Sequence, residues 1–316
     1  MGRLLTFGET MAVAATAVGD PLRTTRQLTL SIAGAEATVA IGVARLGHDA
    51  TWVGVVGADE IGARIRRELA AEHVDTRFIA TCDNAATGLM VRERRTAEFT
   101  AVTYFRRESA GAQLTPADIE AALAGGVDLL HITGITAALS PTCLATVRHA
   151  VSAATAAGMT VSFDVNYRAT LPGSAESREV ARELLPAVDL LFVGEDELWV
   201  VSDEPDPITA ATELLGTGPS EVIVKRGSAG AYVTTTAEGA LTLPAVPVQV
   251  VDTIGAGDSF TAGYLAALLS GLPVAGRLQW ALTCAACTVG THGDWEGLPH
   301  RSEVSARATG AERTLR

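Results

Sequence analysis

Between Ser109 and Val193, short apolar stretches alternate with longer amphipathic ones, and few folds accept that pattern. The spacing predicts a helix ending at Ala124, a strand over 127–132, a helix to Ala157, a strand over 159–164, a helix to Leu185 and a strand over 188–193. Strands joined through helices run parallel, and a parallel sheet needs helices on both faces to bury it. The chain is therefore α/β, a central, mostly parallel sheet flanked by helices on both faces. Its 316 residues, 48% of them hydrophobic, suffice for a large core.

The first third reads differently. A strand over 4–7 precedes polar and β-branched segments over 11–18 and 26–32, separated by Gly19-Asp20-Pro21. A helix opens at residues 33–37, buries Val39, Ala40, Val43, Ala44 and Leu46, and closes at Gly47; a strand over 51–57 and a helix to Glu72 follow. Residues 88–93 and 99–107 read as two strands with no helix between them, so they are expected to join 11–32 in a small sheet. This divides the chain into an α/β core (1–10, 33–85, 108–316) and a discontinuous β unit (11–32, 86–107). Beyond lie a strand over 222–225, a strand pair near 231–243 and three helical stretches, with the last dozen residues frayed.

Ligands of open parallel sheets bind at the carboxyl ends of the strands. Asp164, Asn166 and Arg168 follow one predicted strand, Glu195 and Glu197 the next, and Lys225, Arg226 and Gly227 another. A strand over 245–251 should lead into Asp252-Thr253-Ile254-Gly255-Ala256-Gly257-Asp258 and then a helix over 259–269. At that helix start Gly255, Ala256 and Gly257 can point bare amides at an anion, and Asp258 in the first turn can accept a proton from an attacking hydroxyl. A bare Gly-x-Gly-Asp equally describes a tight turn with a helix cap.

The full seven-residue string resembles the second signature of the ribokinase-like carbohydrate kinases. Residues 33–62 are similar to their first signature, with Gly34, Gly47, Gly54, Gly57, Asp59 and Gly62 in place and Ala33 and Thr38 departing from it. Asp164-Val165-Asn166-Tyr167-Arg168, Tyr104-Phe105-Arg106 with Ser109-Ala110-Gly111, residues 131–135 and Gly293-Asp294 resemble segments of 2-keto-3-deoxygluconate kinases. The resemblance implies a ribokinase-like fold whose small sheet is a lid over the sugar. It implies Gly255, Ala256 and Gly257 as the anion hole, Asp258 as base, and Gly34, Tyr104, Arg106, Arg168 and Asp294 as sugar contacts. Asn166 would lie near the ATP phosphates, with Lys225, Gly227 and Gly230 on the nucleotide side and Glu197 organising Mg²⁺ indirectly, although Gly194 stands where the family carries Asn. ATP and Mg²⁺ are the implied cofactors, and a monovalent cation is left open. Lid-on-lid pairing would give a homodimer or a higher homo-oligomer.

A formal net charge of −12 argues against a nucleic-acid or anionic-membrane binder. Without a signal-peptide layout or an apolar run of about 20 residues, a cytoplasmic enzyme acting on a small sugar is expected. Cys284 and Cys287 read as two thiols one turn apart in a buried helix, since a metal site would need more ligands nearby. Two classes of function remain: an ATP-dependent sugar or sugar-acid kinase, or a sugar-binding regulator that kept the fold. Within the first, Arg168 and Arg106 favour 2-keto-3-deoxygluconate, while Met90 and Phe105, which lack hydroxyls, leave fructose as the alternative.

Overall fold

The computed structural model describes residues 2–96 and 99–308. Its first strand, β1 (Arg3–Phe7), enters the middle of a large sheet, and the chain leaves at once for β2 (Met11–Ala15) and β3 (Thr29–Ala33) of a second sheet. It returns through α1 (Ala35–Arg45), β4 (Asp49–Gly57), α2 (Glu60–Ala71) and β5 (Ile79–Cys82), then completes the second sheet with β6 (Leu89–Arg94) and β7 (Thr100–Phe105). That sheet has the order β3-β2-β6-β7.

The alternating stretch follows: α3 (Pro116–Leu123), β8 (Leu129–Thr133), α4 (Gly134–Leu139), α5 (Pro141–Ala156), β9 (Thr160–Asp164), α6 (Ser177–Leu184) and β10 (Leu190–Gly194). Next come α7 (Pro207–Leu214), β11 (Glu221–Lys225), β12 (Ala231–Thr235), β13 (Gly239–Leu243), α8 (Ala256–Leu269), α9 (Val274–Val289) and α10 (Arg301–Ala308). The nine-stranded sheet runs β13-β12-β11-β10-β9-β8-β1-β4-β5, parallel except at β12 and β13. Both faces are buried. Leu5, Phe7, Leu130 and Val193 pack towards Val147 and Ala181 on one side, while Leu4, Trp52, Phe192 and Ile223 pack towards Ile41, Leu265 and Leu278 on the other.

Several elements depart from the sequence expectation for local reasons. The helix expected up to Ala124 is a short 3₁₀ turn at Ala110–Gln113 and then α3, because Pro116 restarts the helix behind a Thr115–Asp118 capping box. The helix expected up to Ala157 breaks the same way at Ser140, whose hydroxyl caps α5 ahead of Pro141. Only Ser177–Leu184 of the helix expected before Leu185 is α-helical. The strand expected over 245–251 does not form. Pro244 and Pro247 remove two ladder donors, and the N–H groups of Val251 and Asp252 turn instead to the carbonyl of Val289. Of the last dozen residues, expected to fray, 305–308 belong to α10 and 309–316 lie outside the described residues. Cys284 and Cys287 are free thiols on α9, and Cys284 is fully buried where α9 packs against α8.

Candidate active site

The carboxyl ends of β1, β9, β10 and β11 open into one cavity of about 480 Å³, roofed by the small sheet. The sequence-derived residues Gly34, Tyr104, Arg106, Asn166, Arg168, Glu197, Lys225, Gly227, Gly255, Gly257, Asp258 and Asp294 all line it. Ala256 and Gly230 border a second cavity of about 550 Å³, walled by Val246, Val248, Phe260, Leu282 and Val289. Lys225, Gly227, Thr253 and Gly257 belong to both cavities, so the two meet at the start of α8.

That helix start is built for an anion. Gly255 is its N-cap with φ 75°, and a Cβ there would lie 2.1 Å from the carbonyl oxygen of Asp294. Among the described residues, no side chain caps the first turn, and a Cβ on Gly257 would meet only Lys225 Nζ, at 3.6 Å. The amides of Gly255 and Gly257, the Ala256 amide with its long 3.4 Å bond to the Thr253 carbonyl, and the positive end of the helix dipole therefore lie at the junction of the cavities.

Asp258 lies in the first turn of α8 and is half-buried. Burial, reinforced by the negative charge of Asp164, pushes its carboxyl up to about 7. Arg168 and Lys225 oppose the shift. Asn166 Nδ2 donates to Asp258 Oδ1 at 2.9 Å. Lys225 Nζ donates to both oxygens of the buried Asp164 at 2.8 and 2.7 Å, and Thr261 Oγ1 adds a third bond at 3.0 Å. Burial disfavours the ammonium, yet the charges of Asp164 and Glu197 outweigh it and raise the Lys225 pKa. A carboxyl poised near neutrality beside a fixed cation and bare amides suits proton abstraction coupled to transfer of an anionic group.

The remaining expected residues each have an identifiable partner. Glu197 accepts from Tyr167 N–H at 2.8 Å and from Gly194 N–H at 2.9 Å, so both its oxygens organise the strand-end loops. Gly194 leaves room for that arrangement, because a Cβ there would sit 2.7 Å from Asp196 and 3.0 Å from Glu197. Gly34 packs as closely against the backbone of Glu9, where a Cβ would lie 2.6 Å from the carbonyl oxygen. Arg168 is about half exposed, donates to the carbonyl of Tyr167, and approaches Glu197 no closer than 3.8 Å.

Sequence reasoning overlooked several residues in or beside the cavity, of which Glu9 and Arg92 line it. Glu9 lies two residues past the end of β1 and is buried; its carboxylate takes Arg106 Nε at 2.7 Å and also accepts from the Ser109 hydroxyl. The strand-end rule applied to β9, β10 and β11 would have found it. Arg92 and Arg94, two apart on β6, reach from the small sheet to Asp294 at 2.8 Å and Asp252 at 3.0 Å. Glu36 is fully buried beneath the cavity; Oε1 accepts from Thr133 and Thr136 at 2.5 Å, and burial raises its pKa.

The fold and this site define a carbohydrate kinase. The profile of the pfkB family carbohydrate kinases matches residues 1–301, and the chain belongs to that family. It is similar to the 2-dehydro-3-deoxygluconokinase of Bacillus subtilis, with 36% identity over 98% of this chain and 96% of that one. It is also similar to the fructokinase of Klebsiella pneumoniae, 34% identical over 86% of this chain and 90% of that one. An Escherichia coli protein described as a ribokinase II and solved with ATP and Mg²⁺ superposes with a TM-score of 0.90 at 27% identity, covering 98% of this chain and all of that one.

Proposed function

We propose that this chain transfers the γ-phosphoryl group of ATP to the terminal hydroxyl of 2-keto-3-deoxygluconate, the same compound as 2-dehydro-3-deoxygluconate. The observation that carries the reading is how the cavity's arginines are committed. Arg106 is neutralised by Glu9 and Arg92 by Asp294, whereas Arg168 has no carboxylate within hydrogen-bond distance among the described residues. A sugar acid brings a carboxylate that costs several kcal/mol to bury unpaired. Arg168 is the guanidinium open to it, with Tyr104 and the Gly34 backbone contacting the sugar.

Asp258 takes the proton of the attacking hydroxyl as the new O–P bond forms and the bond to the β-phosphate oxygen breaks. The amides of Gly255, Ala256 and Gly257 stabilise the charge on the moving group, and ADP departs through the cavity bordered by Gly230 and Val248. Mg²⁺, when bound on the nucleotide, neutralises charge on its β- and γ-phosphates. Glu197, held by the Tyr167 and Gly194 N–H groups, would reach the ion through water with its remaining lone pairs, which suits a cation that keeps its hydration. The small sheet acts as a lid that excludes water from the transfer. Its exposed Leu30 and Phe105 support a homodimer formed lid on lid, in the cytoplasm where ATP is supplied.

Fructokinase is the second reading, favoured by Met11, Met90 and Val102, which line the lid side of the cavity without offering a hydroxyl. A panel of keto-deoxy acids and neutral ketoses, assayed by coupled ADP release, tests the assignment. The keto-deoxy acid should give the highest kcat/KM, and Arg168→Ala should cost it about tenfold more than it costs fructose, the lower end for a charged hydrogen bond given the exposure of Arg168. A preference for fructose, or an equal penalty on both substrates, overturns the sugar-acid assignment and leaves the kinase.

A further inference from the structure

Asn166 is 4% exposed and adopts φ +39°, a left-handed backbone that asparagine tolerates better than most side chains. Its neighbours force that conformation. Asp164 is held by Lys225 and Thr261, Val165 N–H bonds the carbonyl of Phe192 at 2.9 Å, and Tyr167 N–H bonds Glu197 at 2.8 Å. The Val165 carbonyl also lies 2.1 Å from where a Cβ on Gly134 would be, so the segment cannot relax in that direction. A residue held so firmly in an unfavourable conformation has its side chain aimed by the fold. What Asn166 reaches is Asp258 Oδ1, at 2.9 Å.

We propose that Asn166 is the positioning residue of the catalytic carboxylate: its amide fixes the rotation of Asp258 and stabilises its charged form, leaving the second oxygen for the substrate hydroxyl. An amide can do this where a carboxylate or cation could not. The charged groups around Asp258 are Asp164 at the end of β9, Glu36 on α1, Arg168 and Lys225. A further negative charge would hold the base protonated, and a further cation would weaken it as a base. Asn166 orients the group and favours its charged form without adding a charge of its own. Asp164 and Asn166 then divide the work of one turn, the first fixing the Lys225 cation and the second the base.

The proposal rests on Asp258 being the base, and the test separates the two. Asn166→Gly removes the side chain and accepts the left-handed backbone, while Asn166→Ala removes the amide and keeps the strain. Both should lower kcat about tenfold to a hundredfold and move the acid limb of the kcat/KM profile about one to two pH units upward, with KM for ATP within about twofold of wild type; that shift matches the loss of one hydrogen bond to a charged group. An acid limb that stays in place in the glycine variant, or a loss confined to KM for ATP, overturns the proposal and makes Asn166 a phosphate contact. Asp258→Asn is measured alongside. If it retains wild-type kcat, the base assignment falls and the proposal with it; if it is inactive while Asn166→Gly titrates like wild type, only the proposal falls.

Discussion

Replacing Arg92 by Met tests how the small sheet is tied to the catalytic turn. Arg92 is 2% exposed and holds both oxygens of Asp294, at 2.8 and 3.1 Å. The Asp294 side chain is itself mostly buried, 13% exposed, and Glu296 and Asp252 add negative charge around it. Removing one partner of a buried ion pair costs about 3–5 kcal/mol, because the other charge stays desolvated. At roughly 2 °C per kcal/mol for a chain of this size, the melting temperature at pH 8 should fall by about 6–10 °C. The loss must depend on pH. Burial already holds the Asp294 pKa above the usual carboxylate range while Arg92 opposes that shift, so the variant's value rises further. Its folded state then takes up a proton that the unfolded carboxylate, with a pKa of about 3.9, does not. Stability relative to wild type therefore falls as pH rises, and the drop should be smaller at pH 5 than at pH 8. Adding Asp294→Asn removes the stranded charge and should recover more than half of the loss at pH 8. Thermal melts of the four proteins at the two pH values read the cycle directly. An equal drop at both values, or no recovery in the double variant, would show that the pair contributes packing and not charge.

Asp258→Asn should lower kcat about 10²- to 10⁴-fold with little change in melting temperature, and in wild type kcat/KM should fall about tenfold per unit below pH 7, since the base works deprotonated and its pKa lies near 7. Steady-state profiles between pH 5.5 and 8.5 check both, and a flat acid side refutes the assignment. Gly255→Ala must place a Cβ 2.1 Å from the Asp294 carbonyl at φ 75°, so it should lower the melting temperature by several degrees, whereas Gly257→Ala should leave it unchanged and reduce turnover. The reverse pattern in paired melts and kinetics would contradict the roles given to the two glycines. Leu30→Lys combined with Phe105→Glu should convert a dimer to a monomer by light scattering; a monomeric wild type refutes the lid-on-lid assembly.

The strand and helix alternation from β8 to β10 was legible because fully buried parallel strands read as apolar runs, such as Leu129–Thr133 and Leu190–Gly194. Gathering Asp164, Asn166 and Lys225 needed only the strand-end rule, since they end or follow β9 and β11, while Asp258 was placed by the helix that it opens. The segment over 245–251 misled because its valines carry strand character while Pro244 and Pro247 deny it a ladder, and it ends as a wall of the apolar cavity. The Arg92–Asp294 and Arg106–Glu9 pairs were illegible for another reason. They join residues 202 and 97 apart, and no local pattern encodes which guanidinium meets which carboxylate.

The two cavities differ in how the chain builds them. The apolar one takes all its lining from residues 225–289, one nearly continuous stretch, whereas the polar one recruits side chains from Glu9 to Asp294. Under the proposed function, a substitution on β6 or β7, or at Arg168, alters the cavity for the acceptor without touching the one for the donor, because the two share only Lys225, Gly227, Thr253 and Gly257. Acceptor preference can thus drift by single changes scattered through the sequence while donor use is inherited as a block. Relatives with different sugar acceptors should therefore diverge more over 9–168 than over 225–289.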